Sequence, residues 1–203
     1  MEFIFIIAIL IMSVVIHEVA HGYAALALGD TTAKYQGRLT LNPIAHLDPV
    51  GSFLVPLIGY FLGGFIIGWA KPVPFNPYNL RNARWGEALV AVAGPLSNIA
   101  LAIIFGLVVR FVAGEGLLGP AALGLLSFIV LINITLAFFN LLPVPPLDGS
   151  KILFALLPQS WQNFRIIFEK VGFVLVLVLV FSLWQFMSPL IYRLFGLLTG
   201  LAF

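Results

Sequence analysis

The run Ile16-His17-Glu18-Val19-Ala20-His21-Gly22 stands inside an apolar stretch that opens at Phe3 and continues to Leu28. A stretch of that length spans a membrane as a helix, and an ionisable group within one is costly unless it has a partner or a task. Residues four apart on an α-helix differ by about 40° in azimuth and about 6 Å in height, so both imidazoles can point at one ion. Glu18 can reach a water on that ion without being a ligand. The bland alternative, two histidines satisfied by neighbouring side chains, is disfavoured by the apolar surroundings.

Composition agrees with a membrane location. Of 203 residues, 62% are hydrophobic and 9% charged, too few charges to cover a water-facing surface. Residues 1–28 have Glu2 directly after Met1, lack a basic leader and carry the histidines, so the segment is expected to be retained rather than cleaved as a signal peptide. Cysteine is absent, which leaves histidine and carboxylate to hold a transition metal and suits catalytic zinc. A net charge of +2 gives no reason to expect nucleic acid as a partner.

Apolar runs at 3–28, 86–112, 120–142 and 171 to about 198 each have the roughly 20 residues a span needs. The stretch 50–69 contains Pro56, Gly59, Gly63, Gly64 and Gly68, which fits a re-entrant segment at least as well as a fifth span. If it re-enters, Lys34, Arg38, Lys71, Arg81, Arg84, Lys151, Arg165 and Lys170 share one face and only Arg110 and Arg193 oppose them. The positive-inside rule makes that face cytoplasmic and brings the histidines and the end of the third span to similar depth near it. Residues 33–41 alternate polar and apolar, the period of a half-buried strand. The expected architecture is an all-α polytopic bundle of four spans plus a re-entrant or fifth segment, with a small β-hairpin beside the first helix. Residues 1–203 are read as one domain in the cell membrane.

A catalytic zinc usually takes three protein ligands, so the histidines need a third among His46, Asp30, Asp48, Glu87, Glu115, Asp148 and Glu169. Asp148 stands out: it closes Asn140-Leu141-Leu142-Pro143-Val144-Pro145-Pro146-Leu147-Asp148-Gly149, where prolines break the helix behind the third span. Zinc with Asp148, Glu18 and two neutral imidazoles also sums to zero charge, which matters where charge is poorly solvated. An isolated Asp-Gly would otherwise read as an ordinary turn.

His17-Glu18-Val19-Ala20-His21, Gly94-Pro95-Leu96-Ser97-Asn98 and the 140–149 run, in that order, resemble the three signatures of the site-2 protease family of intramembrane zinc metalloproteases. His46-Leu47-Asp48-Pro49 and Lys71-Pro72-Val73-Pro74 resemble its small bacterial and archaeal members. The resemblance covers residues 10–155. It implies one zinc per chain on His17, His21 and Asp148, with Glu18 as general base and acid in hydrolysis of transmembrane substrates. Some members carry PDZ or CBS modules, for which this sequence has no room.

The residues support the same chemistry directly: zinc acidifies a water, Glu18 takes its proton, and the departing amine receives it back. A helical substrate must unwind first, and its freed amides could pair with a strand at 33–41 or with an extended Pro143–Pro146 segment. Asn140 could bind substrate backbone or the oxyanion, or equally a carbonyl of its own helix end. Asn98 is a second, weaker candidate, more naturally a brace in helix packing, and Gly22 is suited to letting another element approach the metal. His46 is a fourth ligand or latch, or, in the favoured reading, part of a segment start at Asp48-Pro49. Trp69, Trp85, Trp161 and Tyr192 read as interface anchors. The expected partners are the bilayer and transmembrane substrates, with homo-oligomerisation left open. A metal transporter and a silent helix-binding protein are the competing classes. The first has no use for Glu18, and the second would show a substituted motif residue.

Overall fold

The computed structural model describes residues 2–54, 58, 61, 70–82, 84–112 and 119–201, and among these every regular element is helical. Helix α1 runs Glu2–Ala27, α2 is one turn at Thr32–Tyr35, α3 is Gly86–Val112, α4 is Pro120–Asn140, α5 is Asp148–Leu156 and α6 is Gln162–Thr199. Ile4–Ala27, Gly86–Val112 and Pro120–Asn140 are long and apolar enough to cross a membrane. Helix α6 bends by 72° after Leu179, and its halves give a fourth span if counted together. Most of the stretch 50–69 lies outside the described residues, so the re-entrant or fifth segment stays an expectation. Its beginning, Pro49–Leu54, forms a π-helical turn.

Helix α3 sits at the centre, touching α1, α4, α5 and α6. Ala102, Val130, Ile134, Met187, Ile191 and Phe195 from α3, α4 and α6 form the main core. Gly106 permits the approach of α6, since a β-carbon there would lie 2.8 Å from Leu198 Cβ. Phe5, Ile104, Phe111 and Phe173 are exposed, as apolar helix faces are when lipid is the solvent. At one end of the bundle Arg84 Nε donates to Ala155 O (3.2 Å) and Arg165 Nη2 meets Glu87 Oε2 (3.3 Å), joining the start of α3 to α5 and α6. At the other end Arg110 Nη1 donates to Leu197 O (2.5 Å).

The expected hairpin at 33–41 is not formed. Asp30 Oδ1 accepts from Thr32 N (3.2 Å) and Thr32 Oγ1 (2.6 Å), starting a helical turn directly behind α1. The turn ends in a Schellman motif: Arg38 N donates to Ala33 O, Gly37 N donates to Lys34 O, and Gly37 takes φ of 64°. Nine alternating residues satisfy a strand pattern and a single capped turn with its exit equally well, and here the local caps decide. The 143–146 segment is also not an extended partner strand, because Val144 N donates to Leu142 O and Leu147 N to Val144 O, folding it into tight turns.

Asp30 ties this region together. It is fully buried, and its Oδ2 accepts from Asn76 N (2.8 Å) while Oδ1 also accepts from Asn79 Nδ2 (2.8 Å). Burial alone would raise its carboxyl, but the bonds from Thr32, Asn79 and Asn76 outweigh that and hold it below the ordinary carboxylate range.

Candidate metal centre and active site

His17 and His21 lie one turn apart on the buried side of α1, with ring centroids 4.6 Å apart and planes at 90°. Helix α3 crosses beside them at Gly94, where a β-carbon would stand 2.5 Å from His21 Nε2 and 2.6 Å from His17 Cε1. Only glycine lets the two helices come this close. Asp148 is delivered as the first residue of α5, its carboxylate favoured by the positive end of that helix. Gly149 is fixed by the same fold, since a β-carbon there would collide with the carbonyls of Leu141 and Leu142.

Asp148 Oδ2 lies 3.1 Å from His17 Nε2 and 3.2 Å from His21 Nε2, and the two Nε2 atoms are 3.0 Å apart. A tetrahedral zinc with bonds near 2.0–2.1 Å has ligand atoms about 3.3 Å apart, so this triangle is close to one face of its coordination shell. The second ring nitrogens say how the rings are protonated. His21 Nδ1 lies 2.8 Å from Val90 O and His17 Nδ1 lies 2.6 Å from Asn98 Oδ1. Both partners are acceptors, so each Nδ1 carries the proton and donates. Each Nε2 then presents a lone pair, and two such pairs with a carboxylate oxygen converge on one point. That arrangement is repulsive without a cation between the donors, and it suits zinc. Among the described residues these three form the cluster with metal-ligating geometry.

Asn98 is fully buried and is the node of a network across three helices. Its Nδ2 donates to Asn133 Oδ1 (2.8 Å) and lies 3.4 Å from Ser13 O, while Asn133 Nδ2 donates to Ser13 Oγ (2.9 Å) and Ile129 O (2.9 Å). Its amide therefore orients His17, with both Nδ2 hydrogens directed at protein acceptors. Sequence reasoning passed over Asn133 and Ser13, although a second amide seven residues before Asn140 in an apolar span was a usable signal. Asn140 Nδ2 donates to Leu136 O (3.0 Å) one turn back. His46 is buried away from the cluster, with Nε2 2.9 Å from Thr40 O.

Glu18 projects from the next position of α1, and its Oε2 accepts from Val73 N at 2.8 Å. Residues 71–74 thus lie alongside the site. Gly22 makes room for this segment, since a β-carbon there would meet Leu39 Cδ2 at 2.5 Å and Val73 Cγ1 at 2.8 Å.

Two imidazoles from a membrane helix, a carboxylate from behind a second span and a glutamate at their side define a metal hydrolase embedded in a helical bundle. The sequence profile of peptidase family M50 matches residues 116–179. "Putative zinc metalloprotease YwhC" of Bacillus subtilis is 41% identical over 191 residues, covering 92% of this chain and 81% of its own. "Putative zinc metalloprotease Rip2" of Mycolicibacterium smegmatis is 32% identical over 181 residues, covering 89% and 68%. No solved structure gives a significant match. The chain belongs to peptidase family M50, the site-2 protease family, and is a multi-pass zinc metalloprotease.

Proposed function

We propose that the protein is an intramembrane endopeptidase that cuts peptide bonds in or near transmembrane segments of other membrane proteins. The observation that carries this reading is the convergence of Asp148 Oδ2 with His17 Nε2 and His21 Nε2, the two histidines standing on a helix long enough to span the bilayer. Zinc held there supplies a Lewis acid for the scissile carbonyl and a more acidic water. Glu18 accepts the proton of the attacking water and returns it to the departing amine. His17 and His21 stay in the required tautomer through Asn98 and Val90, and Asn98 serves the reaction only through His17. Arg84 and Arg165 gather at one end of the bundle and Arg110 at the other, which supports a site facing the cytoplasmic side.

The test is Glu18→Gln, assayed on a purified single-span substrate with zinc counted by elemental analysis. We expect one zinc per chain and no hydrolysis. Appreciable turnover by this variant would remove Glu18 from the mechanism. Movement of zinc across vesicles by the same variant would favour a transport role instead.

A further inference from the structure

We infer that the segment Lys71-Pro72-Val73-Pro74 is a strap whose single internal N–H orients the Glu18 carboxylate, and that Arg38 is the positioning residue that holds the strap in place. The inference rests on Glu18 acting as the general base.

Proline at 72 and 74 leaves Val73 as the one amide donor between them, and that donor goes to Glu18 Oε2 at 2.8 Å. Lys71 and Val73 each precede a proline, which disfavours helical backbone and stiffens the segment. A strap of this composition is poorly suited to pairing with a substrate strand, because half its ladder donors are missing.

The strap is fastened at several points along its length. Lys71 N donates to His46 O at 2.9 Å. Arg38 Nη2 donates to Lys71 O at 2.9 Å and lies 3.3 Å from Pro72 O, so one nitrogen engages both carbonyls that precede Val73. Arg38 is buried, and its Nε has no hydrogen-bond partner. A buried guanidinium with an unsatisfied N–H is expensive, and such a group persists where its geometry has a use. Val73 itself is buried and seats its side chain over Gly22, one residue beyond His21. The path from Arg38 through two carbonyls and one amide therefore ends on the carboxylate beside the metal. A general base must be held in reach of the proton it takes, so loosening this path should lower turnover without weakening substrate binding.

Hydrogen exchange read at the Val73 amide tests the contact independently of activity. We expect slow exchange in the intact protein, at least tenfold faster exchange in Glu18→Ala, and slow exchange retained in Glu18→Gln, whose side-chain oxygen can accept the same bond. Arg38→Ala should speed exchange at Val73 and lower kcat at least tenfold, with KM within twofold and zinc at one per chain; Arg38→Lys should recover part of kcat. Val73→Pro deletes the N–H, and it should lower kcat in the same way should Arg38→Ala not fold. Unchanged Val73 exchange in Glu18→Ala would overturn the contact and leave the general-base reading standing. Full kcat in Val73→Pro would overturn the positioning role. Turnover by Glu18→Gln would instead sink the general-base reading, whatever the exchange at Val73.

Discussion

Gly94→Ala is the smallest change that should dismantle the metal centre. The added carbon would stand 2.5 Å from His21 Cε1 and Nε2 and 2.6 Å from His17 Cε1. Non-bonded carbon atoms settle at roughly 3.5–4.0 Å, so either α3 retreats by about 1 Å or both imidazoles turn. Retreat of α3 draws Val90 O and Asn98 Oδ1 away from the ring nitrogens they hold at 2.8 and 2.6 Å. Turning the rings moves both Nε2 atoms off a site whose bond lengths tolerate only about 0.2 Å. A misplacement near 1 Å costs about a hundredfold in rate, which is about 2.7 kcal/mol of transition-state stabilisation. Overpacking should cost about 1–3 kcal/mol of stability. The assays are zinc affinity by competition with a chromophoric chelator, kcat/KM on a single-span substrate, and the thermal midpoint. Gly124→Ala on α4 is the control, since a β-carbon there meets nothing within 4 Å. It should leave activity unchanged and, by helix propensity, stabilise by up to about 1 kcal/mol. Wild-type zinc affinity and turnover in Gly94→Ala would refute the close-approach argument.

Asp148→Ala should abolish zinc retention as well as proteolysis; full occupancy by elemental analysis would mean that another group completes the ligand set. Asn98→Leu should lower zinc affinity about 10–100-fold by releasing His17 Nδ1, a loss that the same chelator competition would detect. Asp30 has a depressed folded-state carboxyl, so its contribution to stability is full above the unfolded value of about 4 and is lost as pH falls toward the folded one. Asp30→Asn should therefore flatten the acid side of a stability-against-pH curve, and an unchanged curve in the variant would contradict this role. Stripping zinc with a chelator should lower the thermal midpoint, because the site assembled in the folded state is absent from the unfolded chain.

The pairing of His17 with His21 in the candidate metal cluster was legible because helical periodicity alone puts them on one face. Asp148 was legible because prolines after a span deliver a carboxylate at a predictable depth. The 33–41 pattern misled because alternation over so few residues carries little information, whereas the Asp30 bonds to Thr32 and the left-handed Gly37 fix a turn. The Asn98–Asn133–Ser13 network and the Arg38–Val73–Glu18 path join residues far apart in the chain, and their partners depend on how three helices and a loop meet. No local pattern encodes such meetings.

The metal triangle draws its corners from the first span and from the segment that follows the third. During synthesis the histidines enter the membrane long before Asp148 exists, and at that stage only two of the three donors are in place. Loading of the full triangle with zinc must therefore wait for the bundle to close around α3. The assembled fold is in this sense its own licence: a half-made copy in the bilayer lacks one corner of the triangle.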